Sequence, residues 1–431
     1  MIYCFAALAC MLLPSCSSTE EITNIDDGPI VDMRPADPKP ISLTAEQKVF
    51  ASDNNAFTLN FLKTADSLSH KNKSFIYSPL SITYVLGMVN DAATGITEQE
   101  IEQTLGFHEG GIAAVNAFCK QLIDNLPEVD AQVQLNIANA IFLNNRYKLK
   151  QQFKKDMEAY YDAKAEVLDF AATGAAGRIN QWCNEKTKGL IPKILDSVDK
   201  DKVSYLLNAI YFKADWTNKF DEKNTREETF TTPSGDKLLP LMHQEVLINY
   251  VHTDLYSAVT IPYGNGLWNM TVLLPEEQKT TDDVISKLAE TGWAADYSLS
   301  PMSGARTYQV DLKLPRFETS SDTDETDAKL IGMLRQMGIH QVFDSVFAEV
   351  PNMCEDQNLY ISLMRQKARI IVNEKGSEAA AVTVAGMNKT TSVGPEPVIP
   401  RAVFHANRPF VYVIREASSG VIVFVGKFTG E

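Results

Sequence analysis

The chain has 431 residues, 45% of them apolar and 22% charged, with a formal net charge of −15. That length allows one large domain or two to three average ones, and the composition is that of a soluble globular protein. The acidic excess argues against a nucleic-acid surface, because phosphate backbones are held by clustered cations.

Met1 to Leu13 is almost wholly apolar and uncharged, and it is too short to span a bilayer as a helix. It runs into Leu13, Pro14, Ser15 and Cys16. A leucine three residues before a cysteine, with a small residue between, resembles a bacterial lipobox. That reading makes 1–16 a signal peptide, with Cys16 as the site of lipidation. The alternative is an ordinary cleaved signal with a spare cysteine. Residues 17–48 are polar, punctuated by Gly28, Pro29, Pro35, Pro38 and Pro40, and read as a flexible tether.

A globular region is expected from Val49 onward. Phe50, Phe57, Phe61 and Leu62 predict an amphipathic helix to about Leu68, with Asp53 as a candidate cap. A short strand then leads to Ser78 and Pro79, an N-cap and a first-turn proline, and the helix they start ends near Asn90. Thr97 and Glu100 stand at capping-box spacing for a helix to Leu105. Val133–Leu143 alternates as a strand, and helices follow around Phe153–Tyr160 and Gly177–Thr187. Val203–Phe212 reads as a buried strand, and short strands alternate with turns between 226 and 275. Val310–Leu314 is a strand, Lys329–Met337 a helix, Ile361–Val372 a strand, and Phe410–Ile414 with Val421–Val425 a closing hairpin.

The stretch from Glu374 to Met387 is unusual. Read with a period of two, Ser377, Ala379, Ala381, Thr383, Ala385 and Met387 fall on one face. Glu378, Ala380, Val382, Val384 and Gly386 fall on the other. Small residues without proline can enter the middle of a sheet, yet nothing bulky compels them to. An alanine-rich surface helix is the competing reading.

None of the six histidines sits in zinc-binding spacing, and no nucleophile elbow, Walker loop or dinucleotide fingerprint occurs. The acidic run Asp322, Asp324, Glu325 and Asp327 lacks the glycine and terminal glutamate of a calcium loop and reads as a helix start. Arg146, Lys148, Lys150, Lys154 and Lys155 read as a solvated basic face, with a polyanion site as the alternative. Beyond the leader, Cys119, Cys183 and Cys354 form no paired motif and are expected to be buried thiols. No enzyme, cofactor or metal is expected.

Several segments together resemble the serpin family. They are Ser78–Ile82, Ile137–Phe142, Ile179–Trp182 with Thr187–Gly189, Asn208–Trp216 with Phe220, Leu314–Phe317, Leu359–Ser362 and Phe404–Phe410, in the family's order. The resemblance covers essentially all of 49–431. It implies an α+β serpin fold with three β-sheets, about eight to nine helices and an exposed reactive loop.

It further implies a monomeric suicide inhibitor of serine proteases, with cysteine proteases as a further class. In that mechanism the protease is acylated on cutting the loop, which then inserts into the main sheet and traps the enzyme. A non-inhibitory carrier is the alternative. The loop hinge would be Glu374, Gly376, Ser377, Ala379, Ala380, Ala381 and Thr383. The reactive bond would lie at Lys389–Thr390 for trypsin-like targets or Thr390–Thr391 for elastase-like ones, with papain-like proteases as further candidates. Ser78, Ser81, Asn208 and Gln366 would lie beneath the sheet opening, and Trp216, Arg316 and Glu374 at its entrance, the last two as an ion pair. Gln366 stands where many members have histidine, and glutamine cannot charge. From Glu374 to Thr390 an extended strand spans about 53 Å at about 3.3 Å per residue. The leader implies an exported protein whose membrane contact is a lipid anchor.

Overall fold

The computed structural model describes residues 37–69, 72–107, 110–293, 306–321, 328–355, 359–377 and 399–431. Cys16, most of the tether, the acidic run at 322–327, and Ala379, Ala380, Ala381, Thr383, Lys389, Thr390 and Thr391 lie outside them.

Eight α-helices are described: α1 (Ala45–Ser69), α2 (Pro79–Ala92), α3 (Gly95–Leu105), α4 (Gly111–Asn125), α5 (Gln151–Tyr161), α6 (Ala175–Lys186), α7 (Thr281–Thr291) and α8 (Ala328–Gln336). Packing begins upstream of Val49: Ile41 is buried, and its N–H donates to Ser418 Oγ at 2.8 Å. Asp53 therefore lies inside α1 and does not cap it. Helix α2 starts as expected, the Ser78 hydroxyl accepting from Ser81 N at 3.3 Å.

Helix α3 corrects the capping box. It begins at Gly95, and Thr97 and Glu100 reach outward: Thr97 Oγ1 accepts from Glu349 N, and Glu100 Oε2 accepts from His340 N and Gln341 N. Tertiary partners took the groups that local spacing had assigned to a cap. Helices α4 and α7 carry no expectation from the sequence, although Thr280 and Asp283 form a true capping box on α7.

Six strands form one sheet in the order β10 (Phe317–Ser320), β11 (Met364–Val372), β12 (Gly376–Ser377), β4 (Ser204–Asp215), β2 (Gln134–Asn144) and β3 (Lys164–Leu168). Its middle strands are apolar on both faces because both faces are covered. Leu206, Ile210, Ile141, Ala368 and Ile370 join the main core with α2. Leu207, Ala209, Ala138, Ala140 and Phe142 pack instead on Ile179, Trp182 and Cys183 of α6.

Nine strands form the second network, in the order β1 (Phe75–Tyr77), β15 (Ile422–Phe428), β14 (Phe410–Glu416), β8 (Trp268–Pro275), β7 (Tyr256–Tyr263), β6 (Gly235–His252), β9 (Arg306–Pro315) and β13 (Arg401–His405), with β5 (Arg226–Thr232) on β6. The eighteen-residue β6 pairs β5, then β9, then β7 along its length. Two of the three expected sheets thus run together through one strand. Cys119, Cys183 and Cys354 are buried and form no disulfide.

Candidate functional site

The site is the gap between β11 and β4. These two strands pair in parallel from Met364↔Leu206 to Arg369↔Tyr211. Beyond that point they part, and the start of the unusual stretch fills the opening. The chain leaves Val372, turns through Asn373–Lys375 and returns as β12. The turn is fixed by Asn373 N to Gly376 O at 2.9 Å and by Lys375 N to Asn373 Oδ1 at 3.0 Å. Gly376 pairs with Asp215, and Ser377 with Ala214 on one side and Val372 on the other.

Glycine is required at 376. Its φ is +152°, and a Cβ there would lie 2.1 Å from Ala214 O. Ser377 is fully buried, and its hydroxyl meets the Tyr263 hydroxyl at 2.7 Å. The inward face expected from the period of two is therefore real at its first residue. Tyr263 stacks on Trp216 with ring centroids 4.2 Å apart. Trp216 Nε1 donates to Asn373 O at 2.9 Å, and Trp216 N donates to Lys375 O at 2.8 Å. One tryptophan thus holds the turn by both its backbone and its ring.

The expected ion pair is present. Arg316 Nε lies 2.7 and 2.8 Å from the two Glu374 carboxylate oxygens, and Nη2 lies 2.6 Å from Oε1. The glutamate side chain is 4% exposed and the arginine 44%. Burial pushes the Glu374 carboxyl up, but bonds from Arg316 and Thr225 outweigh burial and leave it below its ordinary 4.5. Burial raises the Tyr263 hydroxyl, so it stays neutral.

Where the strands are still paired, neutral amides link them. Gln366 is register partner of Asn208, which in turn faces Asn139 on β2. Gln366 Nε2 donates to Asn208 Oδ1 at 3.2 Å, and Asn208 Nδ2 donates to Asn139 Oδ1 at 2.8 Å. The same Gln366 grips the start of α2, accepting from Ser78 N at 2.9 Å and donating to Ser78 O at 2.8 Å. The Ser78 hydroxyl donates to Ser81 Oγ at 3.1 Å. The six described residues expected at the opening fall into two groups: Ser78, Ser81, Asn208 and Gln366 at the paired end, and Trp216 and Arg316 at the open end with Glu374, Gly376 and Ser377. Tyr263, Asn139 and Thr225 were not anticipated. Asn139 carried a usable signal, a polar residue on the apolar face of a strand.

The basic cluster has another setting. Lys148 and Lys154 line a cleft of about 880 Å³ with Lys164 and Arg178, but also with Glu158, Glu166 and Glu355. Glu166 takes Lys164 at 2.6 Å and Arg178 at 2.8 Å, so the cleft is nearly charge-balanced.

This arrangement, a loop whose root is wedged into a partly open sheet, defines a class. Residues 52–430 match the profile of the serpin (serine protease inhibitor) family, and the chain belongs to that family. It is 32% identical to human Serpin B3 over 383 residues, covering 83% of this chain and 94% of that one. The native state of the thermophilic serpin tengpin is similar, at 26% identity and a TM-score of 0.76, covering 92% and 98% of the two chains. So is thyroxine-binding globulin in complex with thyroxine, at 25% identity and a TM-score of 0.72, covering 88% and 98%. Serpins act generally on proteases, and some members do not inhibit.

Proposed function

We propose that this protein is a suicide inhibitor of serine proteases, and also of cysteine proteases, acting by insertion of its cleaved loop between β11 and β4. The observation that carries this reading is Ser377. It already sits in the gap, while the sheet below stays paired from Met364 to Arg369. A strand entering there breaks one ladder and makes two, one on each side, so insertion gains backbone hydrogen bonds. Ser377 faces inward, and the alternation of the sequence then turns Ala379, Ala381, Thr383 and Ala385 the same way. None is bulky or charged, so none overfills or charges the packed face beneath the sheet.

Cleavage after Lys389 suits an acidic specificity pocket, and cleavage after Thr390 a small one. Mixing the protein with trypsin-like, elastase-like and papain-like proteases should give a covalent band stable on denaturing gels, with the cut between residues 389 and 391. Clean cleavage at every ratio without a complex would sink the proposal. It would favour the carrier reading, whose support is the likeness to thyroxine-binding globulin. We place the protein outside a bacterial inner membrane, tethered through a lipid on Cys16. Cys16→Ala should move it from the membrane to the soluble fraction of cells, and unchanged fractionation would remove the anchor.

A further inference from the structure

The segment that leaves the gap at Ser377 rejoins the described chain at Ile399 and enters β13. This strand ends the nine-stranded network and, among the described residues, pairs with β9, in parallel from Arg401↔Gln309 to His405↔Lys313. Beside that ladder, one carboxylate is met from both flanking strands. His243 of β6 places Nε2 2.8 Å from Asp311 Oδ1. His405 of β13 places Nε2 3.3 Å from Asp311 Oδ2. The His405 nitrogen is closed off from solvent, yet the contact lacks the alignment of a hydrogen bond. A neutral imidazole has one N–H for two nitrogens, whereas an imidazolium donates from both.

The surrounding charges leave this trio to itself. Lys313 lies in register between the two histidines but is held by Glu228 at 2.7 Å. Glu245 is the register partner of Asp311, adding negative charge on the β6 side. Arg401 begins β13 four residues before His405. On the other side, His405 lines a groove with Arg408 and with His252, which pairs with Glu276 at 3.3 Å.

We propose that His243 and His405, when protonated, close on Asp311 and form a pH-dependent clasp that holds β13 against β9. The clasp anchors the far end of the reactive loop, and in that respect it rests on the loop reading above. Asp311 can keep its charge there. Burial pushes its carboxyl up, but the two histidines outweigh burial and leave it below its ordinary 3.8. A proton on either imidazole is stabilised only against ionised Asp311. The clasp therefore tightens when the imidazoles take up protons, and lets go only in acid strong enough to neutralise Asp311. Cutting the loop at 389–391 separates the hinge from β13, so insertion after cleavage does not strain the clasp. An uncut loop drawn into the gap pulls directly on it.

Backbone hydrogen exchange of Ala402–His405, corrected for its intrinsic pH dependence, reads β13 without any protease and so tests the clasp separately from inhibition. Between about pH 8 and about pH 5.5, protection should rise about three- to tenfold in the natural protein. His405→Gln keeps hydrogen bonding without charge and should abolish the rise, as should Asp311→Asn. A flat profile in the natural protein, or the same rise in His405→Gln, overturns the clasp.

Discussion

The two ends of the gap between β11 and β4 are held by different chemistry. At the open end a buried carboxylate, a half-exposed guanidinium and two stacked aromatic rings fix the turn that carries Glu374. At the closed end three neutral amides, Gln366, Asn208 and Asn139, join three strands to the start of α2. The open end uses charge because it borders solvent, where Arg316 can stay hydrated. The closed end lies in the core, where a lone charge would be costly and matched amides are not. An opening held by satisfied amides can break and re-form without leaving an ion stranded. A turn held by an ion pair stays put while the strand beyond it moves.

The largest way to break this contrast is to put a charge where the proposed insertion needs the sheet to accept the loop. Ser377→Arg replaces a fully buried hydroxyl with a cation facing Tyr263 and should cost several kcal/mol wherever residue 377 sits in the gap, before cleavage as well as after. We expect the variant to be cut as a substrate with little or no trapped complex. Complex formation at the natural ratio would show that residue 377 need not stay in the gap.

Next in size is the closed end. Asn208→Ala removes the acceptor of Gln366 and the donor to Asn139, stranding two buried groups for about 2–3 kcal/mol. Thermal unfolding of the intact protein should shift down, and the variant should lose inhibitory capacity faster on storage. An unchanged midpoint would mean that the amides bridge nothing of consequence.

The smallest effect is at the open end. Glu374→Gln gives up the Arg316 pair, worth about 1 kcal/mol once the exposure of the arginine is counted. Glu374 has its carboxyl held below the ordinary value, so its contribution is present above pH 4.5 and is lost as pH falls through the lowered value. The midpoints of the natural protein and the variant should therefore converge on acidification. Curves that stay parallel down to about pH 3 would assign the stabilisation to something other than the charge.

Much of this was legible before the fold. Ser78 and Pro79 announce a helix start whose chemistry is local, and they form one. The apolar run of β4 and the two-faced stretch at Ser377 follow from side-chain period. What failed to show was settled by register. Tyr263 reads as one end of a turn, and only the fold brings it beside Trp216 and Ser377. Thr97 and Glu100 had the spacing of a cap, but loop residues 340–349 offered better partners. Asn139 lies inside the Ile137–Phe142 segment, yet its role depends on Asn208 standing opposite.

The double burial of β4 has a mechanical consequence. Helix α6 packs on side chains of β2 and β4, and its cluster takes Leu363 alone from the chain leading into β11. The six-stranded sheet is therefore two plates with a seam between them. One plate is β10 with β11; the other is β4, β2 and β3 carrying α6, and β12 sits in the seam at its open end. Beside the β11–β4 ladder, the ties across the seam near α6 include Arg365 Nη1 to Ile194 O at 2.8 Å and Lys367 Nζ to Lys193 O at 3.2 Å, with Ser362 Oγ accepting from Val203 N and Ser204 N at one end. Widening the seam would keep the ladders within each plate but slide both over the shared core beneath, where Leu206 and Ile210 of one and Ala368 and Ile370 of the other pack with α2.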